Sequence, residues 1–385
     1  MRRINRYIHG LPEWPRFHWN RERLAEPLAA VRHQQGRWFG RMEGFGFHLQ
    51  QEAILQTLTT DVLKTSEIEG EKLDAEQVRS SIARRLGMDI GALTTADRNV
   101  DGVVEMMLDA TRNYRQPLTA ARLFDWHAAL FPTGRSGMTR IKVGAWRDDA
   151  AGPMRVVSGP IGRESVHFEA PEASRLEREM ARFLEWFNDE APAHDPVLKA
   201  ALAHLWFVTI HPFADGNGRM ARAIADTQLA RSDGSPQRFY SMSAQIRQER
   251  EAYYDILERT QQDAMDVTPW MEWFLGCLGR AIRRRANQAR GRTQQGARLG
   301  IPRRYPAQRT PAVHDQPPAG RLCRQAHHRQ MGEAHQELAR YCVARYSTLA
   351  GWWRSRAESG WRAQHQLFSG EHVGRRGKLT AHRNR

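Results

Sequence analysis

The sequence predicts an all-α protein: a helical core, one small β-hairpin flap, and an irregular basic C-terminal tail. Three observations predict this. Apolar residues recur at helical spacing through most of the first 280 positions, and one nearly unbroken apolar stretch, Val197 to Ile210, supplies a buried centre. The texture that suggests strands, with alternating glycines, turn residues and short β-branched pairs, is confined to residues 133–170. At 385 residues the chain exceeds one ordinary core and implies two or three domains.

Each element follows in order. Residues 12–32 open with prolines and aromatics, then turn helical, and Trp14, Phe17 and Trp19 read as anchors for an N-terminal arm. A helix is expected from Leu49 to Ile68, stopped by Gly70. Further helices are expected over Asp74–Leu86, Thr95–Asn113 and Thr119–Leu130, with Asn99 or Asp101 as alternative caps for the second. One hairpin is expected between about residues 140 and 168, with Met154 to Val157 as a strand-like run. Ser174 to Asn188 is a clear amphipathic helix, and His204, inside the apolar helix, reads as a core histidine.

Composition excludes several classes. No apolar run reaches membrane-spanning length, and the basic N-terminus lacks the apolar segment of a signal peptide, so a cytoplasmic protein without membrane partners is expected. Cys277, Cys323 and Cys342 offer neither a disulfide framework nor metal spacing. The net charge of +15 arises in the tail. From Ala281 onward 22 Lys and Arg face 5 Asp and Glu, which leaves the first 280 residues near neutral.

The chemistry concentrates in HPFADGNGRMAR, His211 to Arg222. Pro212 disfavours helix at His211, so the histidine sits where a loop begins. Gly216, Asn217 and Gly218 form a tight turn whose N–H groups can converge on an anion, and the helix that resumes there points its N-terminus at the same space. Arg219 and Arg222 share a face in the first helical turn, where cations oppose the helix dipole unless a polyanion occupies the site. Asp215 suits Mg²⁺ beside phosphate, and His211 is a candidate general base. A base, a metal carboxylate, a phosphate nest and an arginine clamp together equip a site for phosphoryl or nucleotidyl transfer.

HPFADGNGRMAR matches the Fic signature His-x-Phe-x-Asp/Glu-Gly-Asn-Gly-Arg-x-x-Arg throughout, and the chain resembles Fic proteins that transfer AMP from ATP to a target protein. The resemblance implies that His211 deprotonates a Ser, Thr or Tyr hydroxyl, Asp215 binds Mg²⁺, Asn217 with the Gly216–Gly218 backbone holds the inner phosphates, and Arg219 and Arg222 hold the outer ones. The hairpin resembles the family's target-registering flap, and Tyr240 and Tyr253 fall where the family forms its adenine side. Thr65, Glu69 and Gly70, in TSEIEG, match the Ser/Thr-x-x-x-Glu-Gly inhibitory motif, which implies that Glu69 takes Arg222 from the γ-phosphate. The implied organisation is an N-terminal helical domain (1–95), a Fic core (96–285) and a basic tail (286–385), with self-modification and a homodimer among the implied partnerships.

Fic proteins of this architecture usually finish with a winged helix, which the tail does not resemble. Two readings stay open. The tail is a winged-helix region translated out of frame, since codons for Ala363 to Leu367 read one base later can spell Arg-Ser-Thr-Ser; or it is a basic arm for nucleic acid. Three alternatives to AMP transfer also stand: another donor such as UTP, removal of AMP from a target, and a DNA-binding regulator acting through the tail.

Overall fold

The computed structural model describes residues 7–298 except 92–93, 151, 159–162, 164, 190–194 and 263. The expected tail readings fall on residues 299–385, outside the described residues. The described residues lie within one compact unit, Met1–Pro302.

Helices dominate. They are α1 (Arg21–Glu43), α2 (Phe47–Ile68), α3 (Ala75–Leu86), α4 (Arg98–Arg112), α5 (Ala120–Leu130), α6 (Leu176–Asn188), α7 (Pro196–Ile210), α8 (Asn217–Asp233), α9 (Met242–Gln248), α10 (Arg250–Gln262) and α11 (Thr268–Arg298). Six of the starts follow side-chain capping, in which a short polar side chain accepts an orphan N–H. Asn20, Asp74, Asp97, Thr119, Asp195 and Ser241 each do so. For α4 the cap is Asp97, whose carboxylate accepts from Val100 N–H, rather than Asn99 or Asp101. Helix α11 runs on through residue 286, where the sequence suggested a boundary.

The strand region holds two small antiparallel pairs where one hairpin was expected. β1 (Arg135–Ser136) pairs with β2 (Thr139–Arg140), and β3 (Arg155–Ser158) pairs with β4 (Ser165–Glu169). The second pair matches the expected flap. The stretch between them, including Val143 and Trp146, is irregular and packs on the core through Trp146, whose ring meets Phe124 at 4.5 Å and Phe213 at 5.1 Å.

At the centre, α7 packs along α8. Every residue from Val197 to Ile210 except Lys199 is buried, as an all-apolar helix requires. Around this pair α4 packs on α8, α6 on α7, and α2 on α9. The N-terminal arm docks through Trp14, which stacks edge-on against Phe17 and Trp206 and donates its indole N–H to Glu179 at 2.9 Å. His204 is a core histidine, as the sequence suggested: it is buried on α7 with Nε2 2.9 Å from the Tyr253 hydroxyl.

Candidate active site

The α7–α8 corner is built by its own sequence. His211 ends α7 in the left-handed region, at φ 52°, an unusual conformation for a non-glycine residue. It is fixed from both sides: its N–H bonds Phe207 O, and the buried Arg147 donates Nε–H to His211 O at 2.9 Å. Arg147 also grips Asp149 at 2.7 Å and Pro171 O at 2.5 Å, so one guanidinium ties the loop before the flap to the histidine. Phe213 is fully buried and stacks on His127 at 4.3 Å.

The tautomer of His211 follows from its contacts. Nδ1 lies 3.1 Å from Val208 O, an acceptor, so Nδ1 carries the proton and Nε2 is left to accept one. Burial is the main reason its pKa falls to about 4; the Val208 carbonyl and the Asp215 and Glu69 carboxylates oppose the shift and Arg147 adds to it. The imidazole is therefore neutral near neutral pH, the form a base requires.

Asn217 has a role that sequence reasoning put elsewhere. Its Oδ1 accepts from Phe213 N–H at 3.0 Å and its Nδ2 donates to Phe213 O at 2.8 Å. The side chain closes the loop, so what Asn217 offers a ligand is its backbone. Gly216, at φ 79°, precedes α8 with no side-chain cap, which leaves the first N–H groups of α8 without the usual oxygen. Asp215 accepts from Gly216 N–H at 2.6 Å and from the Ser136 hydroxyl of β1.

Arg219 and Arg222 are both buried, and each meets a carboxylate from the end of α2. Arg222 donates Nη2–H to Glu69 at 2.6 Å and to Thr65 O at 3.0 Å, and Nε–H to Thr65 Oγ1 at 2.8 Å. Burial disfavours the charged guanidinium, but Glu69 together with Tyr253 and Tyr254 outweighs it, so the Arg222 pKa stands above its ordinary value. Arg219 donates Nη1–H to Glu71 at 2.7 Å. Both arginines keep a buried nitrogen with no protein partner, Arg219 Nε and Arg222 Nη1.

The end of α2 explains how two acids reach two arginines. Glu71 N–H bonds Ser66 O and Gly70 N–H bonds Glu67 O, the paired bonds of a glycine-closed helix end. Gly70 takes φ 86°, which a side chain would resist, and the reversal turns Glu69 and Glu71 toward the same corner. Arg250 holds the last turn by donating to Ile68 O at 2.9 Å. Contact is so close that a Cβ on Gly218 would lie 2.3 Å from Glu69 Oε1.

One cavity of about 550 Å³ has Glu69, His211, Asp215, Asn217 and Gly218 on its wall beside Tyr253, Tyr254 and the β3–β4 hairpin, with Arg219 and Arg222 buried behind it. Tyr240 is not on that wall: it is fully buried, its hydroxyl donates to Asp233 at 3.0 Å, and Arg238 stacks on its ring at 4.7 Å. Its aromatic surface serves the core, where a large ring buries more area than a cavity wall leaves it. Tyr253 does reach the cavity. Sequence reasoning missed Glu71, Arg147 and Arg250 as site residues; for Glu71 the signal was present, since one positive-φ glycine separates it from Glu69. Among the described residues no three His, Cys, Asp or Glu side chains gather as a metal site.

A family model for Fic/DOC proteins matches residues 117–229, which span this whole corner. The chain carries a Fic domain. Residues 7–88 match a second model, a domain of unknown function, DUF4172, and the Thr65–Gly70 motif lies inside that match. Over 104 residues the chain is 36% identical to the protein adenylyltransferase Fic of Culex quinquefasciatus, a span of 27% of this chain and 19% of that protein. The corresponding protein of Drosophila melanogaster is 36% identical over 104 residues, 27% of this chain and 20% of the relative. The chain thus spans about a fifth of the length of the curated relatives it matches.

Two solved structures show the same fold around the Fic domain. A Fic family protein from Desulfovibrio desulfuricans G20 superposes with a TM-score of 0.52 at 24% identity, over 71% of this chain and 76% of that one. A Fic domain containing signaling protein from Bacteroides thetaiotaomicron VPI-5482 gives 0.51 at 20% identity, over 68% and 97%. Among the described residues no helix is long and apolar enough to cross a membrane.

Proposed function

We propose that this protein is an adenylyltransferase that moves AMP from ATP to a hydroxyl of a target protein, and that Glu69 holds it inactive. One observation carries the reading. The uncapped N-terminus of α8 presents two buried arginines, each with an unpartnered nitrogen, and the acids on them are the kind of group a triphosphate would displace. The curated relatives bear the name protein adenylyltransferase, which supports the same reaction.

In this reading the α8 N–H groups and the two arginines hold the phosphates, and His211 Nε2 takes the proton from the target hydroxyl as its oxygen attacks the α-phosphorus. Pyrophosphate leaves along the arginine side. Asp215 would hold Mg²⁺; a single carboxylate suits an ion that also takes phosphate oxygens and keeps waters, and it would neutralise charge on the phosphates. The β3–β4 hairpin offers strand edges that would register an extended target segment by main-chain bonds.

Inhibition is competition. While Glu69 and Thr65 occupy Arg222, the outer phosphate loses its clamp, and the Glu69 carboxylate sits where Gly218 leaves room for it. The test is incubation of wild-type and Glu69→Gly protein with radiolabelled ATP and lysate. Labelling by the variant is expected to exceed the wild type at least about tenfold, the equivalent of one lost charge-assisted contact. Equal labelling rates would leave the α2 end as a structural contact. A second reading, removal of AMP from a modified target, is favoured by Glu69 and His211 lying on the wall of the same cavity, a placement from which the Glu69 carboxylate could align a water.

A further inference from the structure

The β3–β4 hairpin contains a bulge. Val156 pairs with Phe168 but Val157 pairs with Val166, so His167 is the extra residue on β4. Bulges re-aim side chains and are frequent beside active sites. Here the bulge brings His167 Nε2 to 2.6 Å from the Ser158 hydroxyl at the end of β3. On its other side His167 Nδ1 lies 2.7 Å from Glu258 Oε2 on α10. Glu258 in turn accepts from Gln262 at 3.2 Å, and Gln262 donates to His167 O at 2.9 Å.

The roles follow from chemistry. An ionised carboxylate only accepts, so His167 Nδ1 carries a proton toward Glu258, and in the neutral ring Nε2 accepts from the Ser158 O–H. A hydroxyl, an imidazole base and an orienting carboxylate in a row make an activated nucleophile. Ser158 is exposed, and all three side chains lie on the wall of the same cavity as His211 and Asp215. A tie between the hairpin and α10 does not call for the serine, because Gln262 and Glu258 already hold His167.

We infer that Ser158 is an acceptor of the nucleotidyl group: the hairpin carries its own primed hydroxyl, and the protein modifies itself there. This rests on the transferase reading. Ser158 Oγ forms a bond to the α-phosphorus, the bond from that phosphorus to the bridging oxygen breaks, pyrophosphate leaves with the electron pair, and the hydroxyl proton passes to His167 Nε2. The product is an AMP ester on the flap, beside the strand edges a target segment would use, so modification would also change access for targets.

The experiment uses full-length Glu69→Gly protein with α-labelled ATP and Mg²⁺, followed by peptide mapping. Label is expected on the peptide holding Ser158, absent from it in Glu69→Gly/Ser158→Ala, and acquired about a hundredfold more slowly in Glu69→Gly/His167→Gln, the typical contribution of a general base. Label on other residues or on lysate proteins, with Ser158 unmodified, overturns the assignment and leaves the transferase reading standing. A protein that labels neither itself nor lysate overturns the transferase reading and the acceptor role with it. A fluorophosphonate probe tests the priming without ATP: wild-type Ser158 is expected to react, and His167→Gln to react about a hundredfold more slowly. Equal reaction rates in the two proteins overturn the primed hydroxyl.

Discussion

The corner from His211 to Arg222 and the segment from Thr65 to Glu71 meet face to face, yet they are held in different ways. The corner is secured by groups that no ligand would use: Asn217 on Phe213, Arg147 on His211 O, Phe213 on His127. The α2 end meets Arg219 and Arg222, the cations a triphosphate would claim, through its acids, and is held besides by the buried Ile68, by Arg250 on Ile68 O and by Arg247 on Glu67. A ligand can therefore displace the second region without dismantling the first. On the proposed reading, preorganised chemistry and a competing peptide share one pair of arginines, and the strength of each hold sets the response to mutation.

The largest expected effect breaks the corner's chemistry and leaves both holds intact. In the Glu69→Gly background, His211→Ala should lower transfer about 10² to 10⁴-fold, the range for a general base, while calorimetry still detects nucleotide binding. Equal loss of both would place His211 in binding. Asn217→Ala attacks the corner's own hold. It leaves the buried Phe213 N–H and C=O unpaired and should lower unfolding free energy by about 2 kcal/mol in a denaturant titration.

A pH series separates the two regions by a smaller effect. His211 and His127 have pKa values depressed to about 4, and His204 to about 3, chiefly by burial. The unfolded chain binds more protons than the folded one between those values and the ordinary histidine range. The stabilisation tied to these three neutral imidazoles should be full above about pH 6.5 and be lost as pH drops toward 4, while Asp61, Asp226 and Asp233, whose pKa values burial raises, act in the opposite sense over the same range. The acid limb of transfer by Glu69→Gly should lie near pH 4, and a limb near 6.5 would show that His211 is not buried in the active form. The smallest effect sharpens the comparison within the α2 end. Glu71 is half exposed where it pairs with Arg219, whereas Glu69 acts with Thr65 on a buried guanidinium. Glu71→Gln should raise labelling only a few fold, since screened pairs contribute about 0–1 kcal/mol.

Much of this was legible in the chain. The positions of α2 to α8 followed from apolar spacing and turn residues, whereas α9 to α11 and the Asp97 cap of α4 did not, and the motif stood out because loop, glycine turn and arginine pair are contiguous in sequence. Glu69 was legible only through resemblance, since alone it is one acid near a helix end. Tyr240 was misplaced because an aromatic residue carries the same sequence signal whether it lines a cavity or fills a core. Arg147 left no signal, as its partners lie 64 and 24 residues away. The Ser158–His167–Glu258 chain was equally silent: it needs a bulge that shifts register by one residue and a helix 91 positions along from the histidine.

The sequence by itself determined what depends on neighbours along the chain: helix starts from capping side chains, the helix stop at Gly70, the turn at Gly216 to Gly218, and the neutral, near-balanced charge of the body against a basic tail. Tertiary structure alone decided which acids face which arginines, that Asn217 closes its loop, that His211 Nε2 is the free nitrogen, and that Tyr240 belongs to the core. The physical reason is range. Caps and turns are settled by hydrogen bonds within a few residues, whereas burial, ion pairing and the pKa of a histidine depend on what distant segments bring within about 4 Å, where charges and hydrogen bonds act strongly.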